Sequence, residues 1–245
     1  MIAVIFAGPS LPPRLRPADP ALQWRPPARQ GDLYRAALAR PALIGLADGY
    51  FEAVPTVWHK EILWAMAQGI HVYGAASTGA LRAAELDAFG MKGIGRVYQA
   101  FRGGILEDDD EVAVLHGPEE FGYPGLTEAM VDIRATLAEA ARRGIIPASL
   151  AVDLTDLAKA LYYKRRTWPA ILEAEAGLRA EPLRRLAEWL PSGRVERKRL
   201  DVLLMLDAIR AHAAAGVEPL RVAYRLAETV AWEAARRRAE AAPDI

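Results

Sequence analysis

Short apolar runs alternate with helical patterns in the first third of the chain. Residues 1–7, 42–47 and 70–74 are apolar runs of strand length, and each is bounded by glycine or by an Asp-Gly turn. Residues 56–68 carry apolar positions at helical spacing between two of these runs. Strands that alternate with helices over short connections predict βαβ units and a parallel sheet. We therefore expect an α/β fold with a short, mostly parallel Rossmann-like sheet and flanking helices.

The pattern changes further along the chain. Residues 11–30 contain six prolines, so they predict neither a regular helix nor a central strand. Residues 97–116 favour a hairpin or strands near the edge of a sheet. After Pro124 the pattern is helical, with glycine and proline between the helical segments. We expect a domain boundary here, between an α/β core at 1–124 and an all-helical C-terminal region at 125–245.

Composition narrows the possible chemistry. Hydrophobic residues make up 52% of the chain, which is enough for a sizeable core. The 31 basic and 31 acidic residues balance, so nucleic acid is an improbable partner. No run approaches the roughly 18 apolar residues of a membrane span, and the first run is typical of a strand rather than a signal peptide. We expect a cytoplasmic protein that does not bind membranes.

The chain contains no cysteine. Disulfides, thiolate nucleophiles, persulfide carriage and iron–sulfur ligation by this chain are therefore excluded. Covalent catalysis would have to use serine, threonine, lysine or a carboxylate.

A turn of small residues surrounds Ser77. The sequence Gly-Ala-Ala-Ser-Thr-Gly at 74–79 follows a predicted strand and opens a predicted helix. Such a turn resembles a nucleophile elbow, which exposes a serine hydroxyl above a sheet, although an alanine replaces the first glycine of the usual pattern. Backbone N–H groups near Gly79 would stabilise an oxyanion or bind phosphate. The alternative is a serine that only caps the helix.

A serine nucleophile needs a base, and two candidates begin the preceding helix. If the second and third strands are neighbours, His59 and Lys60 reach the same crevice as Ser77. His59 would accept a proton as neutral imidazole, whereas Lys60 would do so only if burial disfavoured its charge. Asp48, in an Asp-Gly turn, would orient the base. Alternatively, His59 is a residue of the helix surface, Lys60 binds an anion or is solvated, and Asp48 only forms the turn.

Further residues border the predicted crevice. An ion pair is the first interpretation of Arg82 and Glu85, which lie three residues apart on the helix after Ser77. We expect substrate contacts from Gly8, Ser10, Gly79, Arg82, Glu85 and His116. Five consecutive acids occupy 107–111. We expect no metal and no cofactor, and the weak candidates for binding a hard cation are Asp108, Asp109, Asp110 and Glu111.

Several motifs together resemble the TfuA-like family over roughly residues 1–145. They include FAGPSL, DGYF, VWHKEILWAMAQGIHVYGAASTGALRAAEL, FGMKGIG and LEDDDEVAVLHGPEE. The resemblance implies a role beside YcaO-type enzymes in thioamidation of peptide backbones. A YcaO enzyme uses ATP to phosphorylate the amide oxygen, which a sulfur nucleophile then replaces. TfuA-like proteins are thought to help to supply that sulfur from a thiocarboxylated, ThiS-like carrier protein.

The absence of cysteine sharpens this expectation. A chain that cannot carry persulfide would most simply cleave the acyl–sulfur bond of the carrier and release sulfide to YcaO. We expect Ser77, with His59 or Lys60, to perform this hydrolysis. The alternative is a non-catalytic adaptor that docks YcaO with the carrier or the peptide, through the proline-rich segment and the basic helices. The C-terminal helices would suit a homodimer.

Overall fold

The computed structural model describes residues 3–52, 54–174 and 179–242. The chain forms two compact units. The first unit comprises Met1–Glu107 and Arg199–Ile245, and the second comprises Asp108–Lys198. The boundary expected between residues 124 and 125 divides the chain by type of secondary structure, and it stays a prediction. The helices of the described residues are all too short or too polar to cross a bilayer.

The first unit contains a five-stranded sheet in which every pairing is parallel. The strand order is β2-β1-β3-β4-β5, which is the order of a common doubly wound fold. The predicted α/β class and the predicted parallel sheet are therefore confirmed. The strands are β1 (Ala3–Phe6), β2 (Leu22–Arg25), β3 (Leu43–Leu46), β4 (His71–Gly74) and β5 (Lys92–Gly93).

Helices cover both faces of this sheet. One face of the strands packs against the three helices that follow β2, β3 and β4. The other face packs against the helix Arg197–Ala215. This burial on both sides explains why the strands are continuous apolar runs. The helices of the first unit are α1 (Asp32–Leu38), α2 (His59–Ala67), α3 (Thr78–Leu86), α4 (Gly95–Arg102), α9 (Arg197–Ala215, whose first two residues belong to the second unit) and α10 (Val230–Ala241).

Two elements of the first unit differ from the sequence predictions. The segment at 97–116 forms no hairpin. Helix α4 begins it, because the buried Asp201 carboxylate accepts a hydrogen bond from the Val97 N–H (2.8 Å) at the first turn. Strand β2 was not predicted, because it lies between Pro20 and Pro26. It occupies the edge of the sheet, where proline is tolerated.

The second unit is helical and has its own core. Apolar side chains of four helices pack together around Met130, Leu154, Trp168 and Leu186. These helices are α5 (Met130–Arg142), α6 (Ala148–Ala160), α7 (Trp168–Ala174) and α8 (Ala180–Gly193). They confirm the helical pattern predicted after Pro124.

The order of the strands determines where a ligand site is expected. The chain passes from β1 outward to β2 and then returns to β3 on the other side of β1. The connections that follow β1 and β3 therefore leave the sheet in different directions, which makes this point the topological switch point. Ligands of open α/β sheets bind at such a switch point. The loops after β1, β3 and β4 carry the predicted site residues Gly8, Ser10, Asp48 and Ser77.

Candidate functional site

Asp48 fixes the loop that follows β1. Its side chain is 1% exposed and accepts hydrogen bonds from the Gly8 N–H (2.8 Å) and the Ser10 N–H (2.9 Å) through Oδ2. Its Oδ1 accepts a third bond from the Ser10 hydroxyl (2.6 Å). The structure therefore brings Asp48, Gly8 and Ser10 together across the switch point. Because three donors surround this carboxylate, Asp48 positions the loop rather than a base.

Ser77 lies in the sharp turn between β4 and α3. The preceding residue, Ala76, has a φ of +66°, in the left-handed region that side chains other than glycine rarely adopt. Ser77 occupies the N-cap position of α3, but its side chain makes no capping hydrogen bond. Ser77 is 7% exposed, so the turn holds this hydroxyl close against the protein. The strained backbone is typical of a functional position.

Gly79 permits the close approach of α3 to the sheet. A Cβ atom at Gly79 would lie 1.7 Å from the carbonyl oxygen of Leu46, so any other residue would force the helix away. The N–H groups of Ser77 and Gly79 both donate to the Ala47 carbonyl (3.2 Å each). These two N–H groups are therefore already engaged. An oxyanion formed at Ser77 would have to be stabilised by other donors.

Arg82, Glu85 and His59 form one cluster between α2 and α3. The Glu85 carboxylate contacts His59 Nε2 (2.8 Å) and accepts a hydrogen bond from Arg82 Nη1 (2.7 Å). Partial burial raises the pKa of Glu85, but the hydrogen bonds and charges of His59 and Arg82 lower it by a larger amount. The pKa of Glu85 is therefore below its ordinary value. The Arg82 Nε–H also donates to the Val57 carbonyl (3.1 Å). The ion pair predicted for Arg82 and Glu85 is present, and it holds His59.

Lys60 points to a different neighbour. Its Nζ donates to the Thr229 hydroxyl (3.1 Å), at the N-cap of α10. Within the described part of the chain, His59 bonds to Glu85 and Lys60 bonds to Thr229. Neither candidate base is therefore hydrogen-bonded to Ser77 in this structure. Glu85 lies eight residues beyond Ser77 on α3, about 12 Å along a helix axis at 1.5 Å per residue.

The remaining predicted site residues lie in the second unit. His116 Nδ1 contacts the Gly117 carbonyl (2.8 Å), and its ring packs edge-on against Tyr123. Three side chains of the acidic run pair with basic side chains of the same unit. Lys159 pairs with Asp108 (2.9 Å) and with Asp110, and Arg134 pairs with Glu111 (2.9 Å).

Arg166, which is fully buried, also binds the Asp110 carboxylate (2.8 Å). Desolvation raises the pKa of Asp110, but the bonds and charges of Lys159 and Arg166 lower it to below its usual value. Among the described residues there is no group of three or more histidine, aspartate or glutamate side chains placed to hold a metal ion. The acidic run is thus part of an ion-pair network that fastens the segment before α5.

Part of the chain matches a known protein family. A family model described as TfuA-like protein matches residues 48–167. Over this segment the chain is similar to the TfuA-like family. The resemblance noted in the sequence is therefore confirmed, and the family is associated with YcaO-type thioamidation. No curated protein matches the chain.

The matched segment contains most of the predicted site of this TfuA-like protein. It begins at Asp48 and includes His59, Lys60 and Ser77, as well as the acidic run. Gly8 and Ser10 precede it, and Asp48 ties them to it through the three hydrogen bonds described above. The roles of the individual residues stay predictions.

Sequence analysis missed Glu61 of this TfuA-like protein. Its carboxylate is 1% exposed and accepts hydrogen bonds from the N–H groups of Gly31 (2.9 Å), Tyr34 (3.3 Å) and Trp58 (3.2 Å). Burial raises the pKa of Glu61 to about 7, against the lowering effect of these bonds. A glutamate three residues after the N-cap of α2 is a known capping signal and would have identified the bond to Trp58. The hydrogen bonds from the Gly31 and Tyr34 N–H groups come from distant parts of the chain, and no sequence pattern predicts them.

We expect Asp48→Ala to destabilise this TfuA-like protein by roughly 3–5 kcal/mol, because three buried donors would lose a charged acceptor. Urea denaturation of the wild type and the variant measures the difference. Asp109→Ala is the matched control, since Asp109 is exposed and should change stability by no more than about 0.5 kcal/mol. Equal effects of the two substitutions would contradict the role of Asp48.

We expect Glu61 to make stability fall as pH rises. A carboxyl with a pKa near 7 in the folded state binds more protons than the unfolded chain, whose pKa is near 4.5. Its stabilising contribution is complete below pH 4.5 and is lost as pH rises through 7, a change on the order of 3 kcal/mol.

Denaturation of the wild type and of Glu61→Gln between pH 4.5 and 8 measures this contribution. The difference in stability between them should decrease steadily with pH, since glutamine does not titrate. A difference that stays constant or grows would show that Glu61 titrates normally.

Proposed function

We propose that this chain hydrolyses the C-terminal thiocarboxylate of a small, ThiS-like sulfur-carrier protein and so releases sulfide for a YcaO enzyme. The observation that carries the proposal is the Ser77 turn. It holds a serine at the carboxyl end of a central parallel strand, after a left-handed alanine and without a helix-capping bond. A nucleophile elbow presents its serine from such a strained turn between a strand and a helix.

The proposed reaction is acyl transfer. The Ser77 hydroxyl attacks the thiocarboxylate carbon, and its proton passes to a base. The carbon–sulfur bond of the tetrahedral intermediate then breaks while the protonated base returns its proton to sulfur, hydrosulfide leaves, and the carrier remains as an ester on Ser77. Water attacks this ester with help from the same base and regenerates the serine together with a carboxylate on the carrier. No oxidant or reductant is consumed.

The contacts of the two candidate bases favour Lys60. Moving His59 to Ser77 would break its contact with Glu85, a carboxylate that Arg82 keeps ionised. Moving Lys60 would break one hydrogen bond to a neutral hydroxyl. A lysine acts as a base where burial disfavours its charge, and a carrier tail over the crevice would provide that burial. We therefore propose that Lys60 is the base. We propose that His59, Arg82 and Glu85 instead hold α2 and α3 together.

The experiment that tests this function is sulfide release from a purified thiocarboxylated carrier, in the absence of YcaO. We expect one sulfide to be released for each thiocarboxylate that is converted to a carboxylate. Mass spectrometry of the carrier measures this conversion. A carrier that already ends in a carboxylate is the control. Release that requires YcaO, or no release, would favour a non-catalytic role.

One observation favours that second role, an adaptor for YcaO. Phe121 is 78% exposed and Leu126 is 55% exposed, both in the segment between the acidic run and α5. Exposed apolar side chains in one loop are typical of a contact surface. We expect Phe121→Asp to weaken the interaction with YcaO in a binding assay and to leave sulfide release without YcaO unchanged. Loss of sulfide release in this variant would contradict a role of Phe121 that is limited to docking.

A further inference from the structure

Four polar side chains form a cluster between the sheet and α9, which we call the His212 cluster. His71 and Tyr73 lie on β4, Lys92 lies on β5, and His212 lies near the end of α9. The rings of His71 and His212 meet edge-on, with their centroids 4.5 Å apart. The proposed hydrolysis gives this cluster no role.

Hydrogen bonds indicate which atoms of the His212 cluster carry protons. The Lys92 ammonium can only donate, and its Nζ donates to the Tyr73 hydroxyl oxygen (3.3 Å). Tyr73 is 3% exposed, so its own O–H needs an acceptor within the protein, and His212 Nδ1 lies 2.8 Å away. His212 is therefore neutral in this arrangement, and its Nδ1 carries no proton.

His71 connects the cluster to the segment that follows α9. Its Nε2 lies 2.9 Å from the Glu218 carbonyl oxygen, which can only accept, so this nitrogen carries the proton. His71 is buried, and its Nδ1 has no hydrogen-bond partner among the described residues. A second proton on His71 would be a buried donor without an acceptor, which is unfavourable. The contacts of His71 therefore also favour a neutral imidazole.

A proton on His212 would disturb this arrangement. It would turn the acceptor of the Tyr73 hydrogen bond into a donor, and it would place a second cation beside the Lys92 ammonium. Burial, the charge of Lys92 and the neighbouring His71 hold the pKa of His212 below its ordinary value. Within the part of the chain that the structure describes, no carboxylate pairs with His212 to offset this effect.

The carboxylates near this end of α9 pair with another residue. Arg210 pairs with Asp19 (3.0 Å) and with Asp207 (3.5 Å). The Ala21 N–H and Arg210 donate to Asp19 and lower its pKa below the ordinary value. Histidine is the side chain whose ordinary pKa falls between pH 5 and 8. In this pH range we therefore expect the charge to change at the histidines of the cluster.

The His212 cluster lies where the end of α9 meets the sheet. Ile209, one turn before His212, is buried in the core between α9 and the strands. Beyond α9, the Leu220 N–H donates to the Gly69 carbonyl (2.9 Å), just before β4. The contacts of the cluster therefore help to hold the last turn of α9 and residues 216–220 on the sheet.

We propose that the His212 cluster is a pH-sensitive switch, in which protonation of His212 releases the last turn of α9 and residues 216–220 from the sheet. Because the folded state favours the neutral imidazole, the contribution of His212 to stability is complete above the ordinary histidine pKa of about 6.5. It is lost as pH falls through the lower pKa of the folded state, so acidification opens the switch. The switch does not depend on the proposed hydrolysis.

Hydrogen–deuterium exchange of the full chain at pH 5.0 and 7.5 tests this proposal, with rates corrected for the effect of pH on intrinsic exchange. We expect peptides that cover residues 212–220 to exchange roughly threefold or more faster at pH 5.0, since the open state binds the proton more tightly. Peptides of α6, in the second unit, should keep the same corrected rate. Equal corrected rates for residues 212–220 at the two pH values would overturn the proposal.

Two variants assign the effect to His212. His212→Asn keeps an acceptor oxygen for the Tyr73 hydroxyl but does not titrate, so we expect its corrected exchange at residues 212–220 to be equal at the two pH values. His116→Asn is the matched control, because His116 lies in the second unit and its loss should leave the wild-type pH dependence intact. Circular dichroism checks that both variants are folded. A pH dependence that persists in His212→Asn would overturn the proposal.

Discussion

Ser77→Ala is expected to block thioamidation that draws its sulfur from the carrier, by a factor of roughly 10³ or more. The reason is chemical, because the proposed reaction proceeds through the Ser77 hydroxyl and the chain contains no cysteine that could replace it. The assay contains YcaO, ATP, peptide and thiocarboxylated carrier, and it measures the thioamide by mass spectrometry. Adding sulfide salt should restore the reaction, because it bypasses the step that Ser77 performs.

The rescue by sulfide distinguishes supply of sulfur from docking. If the protein only positioned its partners, Ser77→Ala would have little effect, and added sulfide would change the wild type and the variant equally. Ser149→Ala is the matched control, since Ser149 is an exposed serine in the second unit. It should keep the activity of the wild type within about twofold, as is usual for a surface substitution of this size.

Lys60→Gln is expected to lower sulfide release by roughly 10²–10⁴, which is the usual contribution of a general base. His59→Gln is the matched neighbour and should cost less than about tenfold, because it disturbs the contact with Glu85 without removing the base. Initial rates of sulfide release at saturating carrier measure both. A larger loss of activity in His59→Gln than in Lys60→Gln would contradict the assignment of Lys60 as the base. Glu85 would then be the group that orients a histidine base.

The core of the fold is predictable because it depends on local patterns. β1, β3 and β4 are apolar runs with clear boundaries, and buried parallel strands need no finer signal. Strand β2 was missed because prolines flank it, and only its place at the edge of the sheet makes it possible. Helix α4 was missed because its first turn is held by Asp201, more than a hundred residues away in the chain. Contacts of this kind leave no local pattern.

The sequence predicts a set of candidate site residues but not the contacts that these residues make. Small residues around Ser77 identify a sharp turn, since only they permit the approach of α3 to Leu46. The partner of Asp48 is different from the one expected, because its carboxylate turns toward the loop after β1 and not toward His59. Side-chain direction depends on which donors surround a group after folding. Sequence spacing alone does not fix that direction.

The most direct test of the central claim compares sulfide release by the wild type and by Ser77→Ala from the same preparation of thiocarboxylated carrier, without YcaO, in a single turnover. The account predicts one sulfide and one carboxylate-ended carrier per thiocarboxylate with the wild type, and no release above the uncatalysed rate with the variant. Release by Ser77→Ala at the rate of the wild type would contradict it.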